Sequence, residues 1–194
     1  MPDKWEGLLT AKTKNILFKQ QYSLYGNAEA ARGSVEMYEQ HKDVFYVYCC
    51  HMNEYESYLM WKVYGDRECA IQTNYERLTA SLGDEPPEIN GCVVTYIDYE
   101  REHFPIGNIV IPVSYKDLPY KDEKEFRLLY SKIWLLNQGY PVDENGVKIK
   151  VDINMLIEYI YINPSKELKI DKLFEHLENK KINLDRVKYS RIRE

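Results

Sequence analysis

Segments with the alternating pattern of strands and segments with helical spacing follow each other irregularly along this 194-residue chain. Residues 28–41 have helical spacing, and the run from Val44 to His51 directly after them is rich in strand-forming residues. Further strand patterns lie at Phe126–Tyr130 and Tyr159–Ile162, before a helical segment near 169–180. Because strands and helices do not alternate strictly, we expect an α+β fold with a central, mixed or mostly antiparallel sheet and short flanking helices.

Local signals predict where two further helices begin. Asn53 with Glu56, and Thr73 with Glu76, have the spacing of capping boxes, in which the first side chain caps the helix and the second reaches back. The pattern predicts that Asn53 and Thr73 are the two N-caps.

Two strand predictions concern the middle of the chain. Alternating residues from Val93 to Tyr99 predict one longer strand. Asn145-Gly146 is a hairpin-turn signal that would join a segment near 134–142 to the alternating residues 147–151.

Length and composition predict a single domain that spans residues 1–194. Hydrophobic residues make up 44% of the chain, which is ordinary for a globular protein, and no Gly/Ser-rich linker divides it. The net charge of −5 argues against a broad nucleic-acid surface, which needs clustered positive charge. The acidic balance therefore disfavours a nuclease or other nucleic-acid enzyme.

The four cysteines do not form a metal-binding or disulfide pattern. No Cys-x-x-Cys occurs among Cys49, Cys50, Cys69 and Cys92, and all four lie in apolar, strand-like segments. Free thiols indicate a reducing compartment, and the sequence has no run of 18 apolar residues. We therefore expect a cytoplasmic protein without membrane contact, bound metal or disulfide.

The first candidate site lies where the strand ending at His51 meets the next helix. Trp61 and Tyr64 are one helical turn apart and offer aromatic surface, and a helix N-terminus after a strand suits an anion. The alternative is that Trp61 and Tyr64 pack in the core and that His51 is structural.

The second candidate site is the segment Glu123-Lys124-Glu125-Phe126-Arg127. Glu123, Glu125 and Arg127 share one face if the segment is extended, so Arg127 can hold Glu125 ionised. The alternative is a surface ladder of Glu and Arg side chains.

Several motifs in order resemble a widespread bacterial family of unknown function. Its members have an aromatic–x–Cys strand ending in His or Ser, then Met-Trp-x-x-Tyr, Glu-x-Glu-(Phe/Tyr)-Arg, Ile-x-Ile-x-Pro and a closing Val-x-x-Ser segment. The similar segments here are Phe45–His51, Met60–Tyr64, Glu123–Arg127, Tyr159–Pro164 and Val187–Ile192.

The order of these elements also distantly resembles ADP-ribosyltransferases. That resemblance implies an enzyme that uses NAD to modify a protein or nucleic-acid target, in a bacterial toxin or phage-defence setting. It makes Glu125 the catalytic carboxylate, assisted by Glu123, and places His51, Trp61 and Tyr64 around the NAD. Because Glu125 is placed at a strand end and Tyr64 at a helix end, we further expect the two side chains to line one cleft.

A non-catalytic interaction or inhibitor protein of a bacterial or phage conflict system is the alternative function. A small, acidic chain with 18 tyrosines suits that class, since Tyr is common at interfaces. Its partner would be an antitoxin or a defence component.

Overall fold

Short helices and strands are interspersed in the structure, a computed structural model that describes residues 6–64, 68–84, 88–143, 146–164 and 170–192. The described α-helices are α1 (Ala11–Tyr25), α2 (Ala28–Gln40), α3 (Tyr58–Val63), α4 (Tyr75–Ser81), α5 (Lys132–Asn137), α6 (Ile153–Leu156) and α7 (Ile170–Asn179). The described strands are β1 (Phe45–His51), β2 (Cys69–Gln72), β3 (Asn90–Val93), β4 (Thr95–Ile97), β5 (Tyr115–Asp117), β6 (Glu125–Ser131), β7 (Tyr159–Ile162) and β8 (Val187–Tyr189). The α+β fold class is confirmed.

The described strands form three small sheets. β1, β6 and β3 make an antiparallel sheet with β6 in the centre, β2 and β8 flank β7, and β4 pairs in parallel with β5. The predicted long strand at 93–99 is divided between two of these sheets at Val94, which is 5% exposed and donates its N–H to Glu125 O at 2.9 Å. This break explains why the alternating pattern does not continue through one central sheet.

The chain falls into two compact units. The first comprises Met1–Met52 and Glu88–Val147, and the second comprises Asn53–Pro87 and Lys148–Glu194. In the described part of the chain, no helix is both long and apolar enough to cross a bilayer.

The core of the first unit covers one face of β6. Leu129, which is fully buried, packs with Phe45 and Val113, and a second cluster is built on Leu17 and Phe104. Both faces of β6 are largely buried, which fits its central position between β1 and β3.

The core of the second unit lies between β7 and α7. It consists of Ile157, Ile160, Leu177 and Ile182. Two arginines, Arg77 and Arg186, donate to the carbonyls of Asn154 and Ile157 and so satisfy the end of α6.

The two predicted N-caps were wrong, Asn53 by four residues and Thr73 by one. Ser57 caps α3 by accepting from Met60 N–H, and Asn74 caps α4 by accepting from Arg77 N–H at 2.9 Å. Thr73 instead donates to Leu156 O, and Glu56 accepts from the Trp61 indole at 3.2 Å. Glu56 also accepts from Arg191 N–H at 2.8 Å, so Thr73 and Glu56 both have distant partners that the local pattern does not reveal.

The predicted hairpin arm near 134–142 was also wrong, because α5 occupies its first half. Ser131 at the end of β6 caps this helix, and Gly139 follows it with a φ of 77°. Asp143 and Gly146 form an isolated bridge, while Asn145 lies outside the described residues.

Candidate functional site: a buried ion cluster at the start of β6

The two predicted catalytic carboxylates, of Glu123 and Glu125, both contact the ammonium of Lys116. A residue in the left-handed conformation between them makes this possible. Glu123 ends a short 3-10 helix (Leu118–Glu123), Lys124 has φ 42° and ψ 56°, and Glu125 begins β6. Lys124 O accepts from Met52 N–H at 2.8 Å, which holds this turn against the end of β1. The turn therefore lets Glu123 and Glu125 converge although they belong to different elements.

Both carboxylate oxygens of Glu125 are ion-paired. Oε1 lies 2.8 Å from Lys116 Nζ, and Oε2 lies 2.6 Å from Arg127 Nε. The Glu125 N–H donates to the Tyr96 hydroxyl at 2.9 Å. The residue is only 7% exposed, so its carboxylate is largely shielded from solvent.

Arg127 is fully buried and is satisfied on three sides. Besides Glu125, its guanidinium donates to Val113 O at 2.7 Å and to the Glu6 carboxylate. Its register neighbours on β1 and β3 are Cys49 and Cys92. Both register neighbours of Arg127 are thus small side chains.

The ion pairs join into one chain of five charged side chains, in which acids and bases alternate. In order, it runs through Glu6, Arg127, Glu125, Lys116 and Glu123. The ends are the more solvent-accessible members: the side chains of Glu6 and Glu123 are 38% and 23% exposed, against 7% for Lys116. The surface-ladder alternative is thus excluded for Glu125 and Arg127.

The two carboxylates differ in proton affinity because their surroundings differ. Burial raises the pKa of Glu123, and hydrogen bonding with Glu125 raises it further, against the opposing effect of Lys116. Burial also acts to raise the pKa of Glu125, but hydrogen bonds with Glu123, Arg127 and Lys116 outweigh it and lower the pKa to about 2. Such separation within a carboxylate pair is the arrangement that acid–base chemistry uses.

Cys49 beside this cluster is not an activated nucleophile. Burial, and after it the negative charge of Glu125, raise the pKa of its thiol to about 12. The thiol is therefore protonated at neutral pH, whereas a nucleophilic cysteine needs a lowered pKa.

His51, predicted from the sequence to belong to the first candidate site, lies next to the carboxylate pair of the second. It is the register partner of Glu125, and its Nδ1 lies 2.6 Å from Glu123 O. Its Nε2 is buried and has no hydrogen-bond partner within the described residues. The structure thus brings together Glu123, Glu125 and His51 in the first unit.

Trp61 and Tyr64 belong to the second unit, on and after α3. The Trp61 indole donates to Glu56, and Tyr64 is 48% exposed. The core-packing alternative does not describe Tyr64. Their role in holding NAD, and the prediction of one cleft shared by Glu125 and Tyr64, stay predictions.

Sequence patterns did not identify Lys116, Glu6 or Tyr96 as members of the site. Lys116 comes from β5, and Tyr96 is its register partner on the parallel strand β4. Nothing in the local sequence of either strand indicates a buried ammonium. Only the Glu-x-Glu-x-Arg spacing could have suggested that further cations are needed to neutralise the acidic side chains.

The donor set of the cluster fits a ribose hydroxyl at Glu123 better than at Glu125. Glu123 reaches solvent and has one cation, whereas the oxygens of Glu125 are both occupied. In the part of the chain that the structure describes, no group of three or more His, Cys, Asp or Glu side chains could hold a metal ion.

The chain was compared with known families, curated proteins and solved structures. No protein-family model, curated protein or solved structure matches it. The resemblances to the bacterial family and to ADP-ribosyltransferases therefore remain predictions from the motifs.

Proposed function

We propose that the protein is an ADP-ribosyltransferase-like enzyme that uses NAD to modify a macromolecular target, with Glu123 and Glu125 acting together. The observation that supports this most is the convergence of both carboxylates on Lys116, with their pKa values driven apart. Paired carboxylates with unequal proton affinities suit chemistry at a glycosidic bond.

NAD supplies a nicotinamide–ribose bond whose cleavage builds positive charge on the ribose. A fixed negative charge stabilises such a developing cation, and Glu125 is held ionised for that purpose by Lys116 and Arg127. Glu123 has the more accessible carboxylate, and its raised pKa makes it a better base than an ordinary glutamate. Above its raised pKa Glu123 is ionised and can act as a base. We assign it to contact a ribose hydroxyl and to accept the proton of the attacking group, which bonds to the ribose as the nicotinamide–ribose bond breaks and nicotinamide leaves.

The experiment follows labelled NAD in a cell lysate, so that the target need not be known in advance. We expect wild type to transfer label. In Glu123→Gln the rate of transfer should be about 100- to 10,000-fold lower, the usual effect of losing a general base. Glu100→Gln is the matched control, because Glu100 is an exposed glutamate of the same unit. Equal transfer by wild type and Glu123→Gln would remove Glu123 from the catalytic role.

Glu125→Gln is unsuitable as the primary activity variant. Removing its charge leaves Lys116 and Arg127 buried without their shared partner, and breaking a buried ion pair destabilises by about 3–5 kcal/mol. Its loss of activity would not separate chemistry from folding.

A non-catalytic interaction protein is the second candidate, and the exposed apolar surface around α3 favours it. Tyr55, Tyr58, Leu59, Val63 and Tyr64 are each 48% to 76% exposed. Monomeric proteins rarely expose many neighbouring apolar side chains without a partner. A folded wild type that turns over no NAD in the lysate would favour this candidate.

A further inference from the structure

Lys116 is the member of the ion cluster that joins the two carboxylates. Its Nζ lies 2.8 Å from Glu125 Oε1 and also donates to Glu123 Oε2, and its side chain is 7% exposed. The Tyr120 ring lies on the same ammonium, with its centroid 4.8 Å from Nζ. Protein groups thus take the place of water around this cation.

The cluster carries one negative charge more than it can balance internally. Glu6, Glu123 and Glu125 contribute three negative charges when ionised, whereas Arg127 and Lys116 contribute two positive ones. Uncompensated charge is unfavourable in a poorly hydrated site. One bound proton would make the five side chains neutral.

We propose that Lys116 is a positioning residue that keeps Glu125 ionised and directs to Glu123 any proton that the cluster takes up. Glu125 has an ion pair on each oxygen and a side chain 8% exposed, whereas Glu123 has one cation and is 23% exposed. Glu6 also has a single ion pair, but its side chain is 38% exposed, so its charge stays in contact with water. Of the two carboxylates on Lys116, the proton therefore goes to the one with the fewer ion pairs. Any catalytic use of this arrangement rests on the proposed function. The assignment of the proton to Glu123 rests only on the ion pairs and exposure of the two carboxylates.

The groups facing Glu123 come from four elements. Lys116 is on β5, Glu125 on β6, and Tyr96 on β4, while His51 of β1 contacts the Glu123 carbonyl. Hydrogen bonds to Glu123 and Glu125 raise the pKa of Lys116 despite its burial, and burial raises the pKa of Tyr96. Lys116 stays charged across the range in which carboxylates titrate, so its removal tests the assignment.

The experiment is a pH titration of the glutamate side-chain carboxyl carbons by NMR. In wild type we expect the Glu123 signal, identified by its absence in Glu123→Gln, to titrate above 4.5, and the Glu125 signal to titrate near 2. In Lys116→Met the Glu125 midpoint should rise by about 1–3 pH units, since one of its two cations is gone. Lys116→Arg, which keeps the charge, should leave Glu125 titrating below 4.5.

Two results would overturn the assignment: a Glu123 midpoint below 4.5 in wild type, or an unchanged Glu125 midpoint in folded Lys116→Met. If Lys116→Met does not fold, the wild-type and Lys116→Arg titrations still decide the outcome. The same proteins are then assayed with labelled NAD. The expected titrations without NAD turnover would support the role of Lys116 and reject the proposed function.

Discussion

The two candidate sites differ in burial, and in each case the burial is the opposite of what the residue types suggest. The charged site is buried and the apolar site is exposed. The start of β6 is rich in charge, yet Glu125 and Arg127 are 7% and 0% exposed. The α3 segment is rich in apolar side chains, yet Val63 and Tyr64 are 58% and 48% exposed.

The two sites differ in burial because their side chains differ in the partners available to them. The charges of β6 can be buried because each finds an opposite charge supplied from elsewhere in the first unit, and they would be intolerable there without it. The apolar side chains of α3 have no comparable burial in the described residues, since no residue within the helix is buried. Residue type alone thus predicted neither environment.

The largest test of this contrast is Arg127→Met. It leaves the carboxylates of Glu125 and Glu6 without their buried guanidinium, and we expect a loss of about 3–5 kcal/mol in the free energy of unfolding. Denaturant unfolding measures it. Arg101→Met is the control, because Arg101 is 84% exposed and its pair with Asp98 at 3.6 Å is worth at most about 1 kcal/mol. Similar losses in the two variants would contradict the importance of the buried cluster.

The pH dependence of stability should have a maximum in mildly acidic solution. The unfolded carboxyls titrate near 4.5, whereas folded Glu125 stays ionised down to about 2, so its contribution of about 3 kcal/mol is lost as pH falls from 4.5 toward 2. Folded Glu123 binds its proton more tightly than the unfolded chain, so its contribution is present below 4.5 and is lost as pH rises through its raised pKa. Unfolding followed from pH 2 to 8 measures both effects.

Glu123→Gln separates the two pH effects. We expect it to abolish the loss of stability on the alkaline side of the maximum and to keep the loss on the acid side, because Glu125 is unchanged. An alkaline limb that persists in this variant would show that another group causes it.

Ser57→Ala tests which residue begins α3. Ser57 accepts from Met60 N–H, so its loss should cost about 1 kcal/mol, the usual effect of an N-cap. Asn53→Ala, at the position that the sequence pattern favoured, should change stability by less than about 0.5 kcal/mol. The reverse order in thermal unfolding would restore the prediction made from the sequence.

Val63→Ser should have the smallest effect on stability. Because Val63 is 58% exposed, we expect a change within about 0.5 kcal/mol. Leu129→Ala is the contrasting variant, since Leu129 is fully buried and such truncations cost about 2–5 kcal/mol. A large loss in Val63→Ser would mean that α3 is covered in solution.

Periodicity and composition by themselves determined the α+β class and most of the longer elements. β1, β7 and α7 were predicted within one or two residues, because a run of strand formers or a helical stripe is a local property. The sequence also paired Glu125 with Arg127 correctly, since alternate residues of a strand share a face.

The tertiary structure decided how these elements are grouped and what surrounds the candidate site. One predicted strand is divided because residues up to Val93 pair with β6 whereas Thr95–Ile97 pair with β5. Lys116 and Glu6 reach the cluster from positions 9 and 119 residues away from Glu125. Such contacts depend on which strands pair and which loops return to them, and no local pattern encodes that choice. Whether a charged side chain is exposed or buried therefore became known only with its partners.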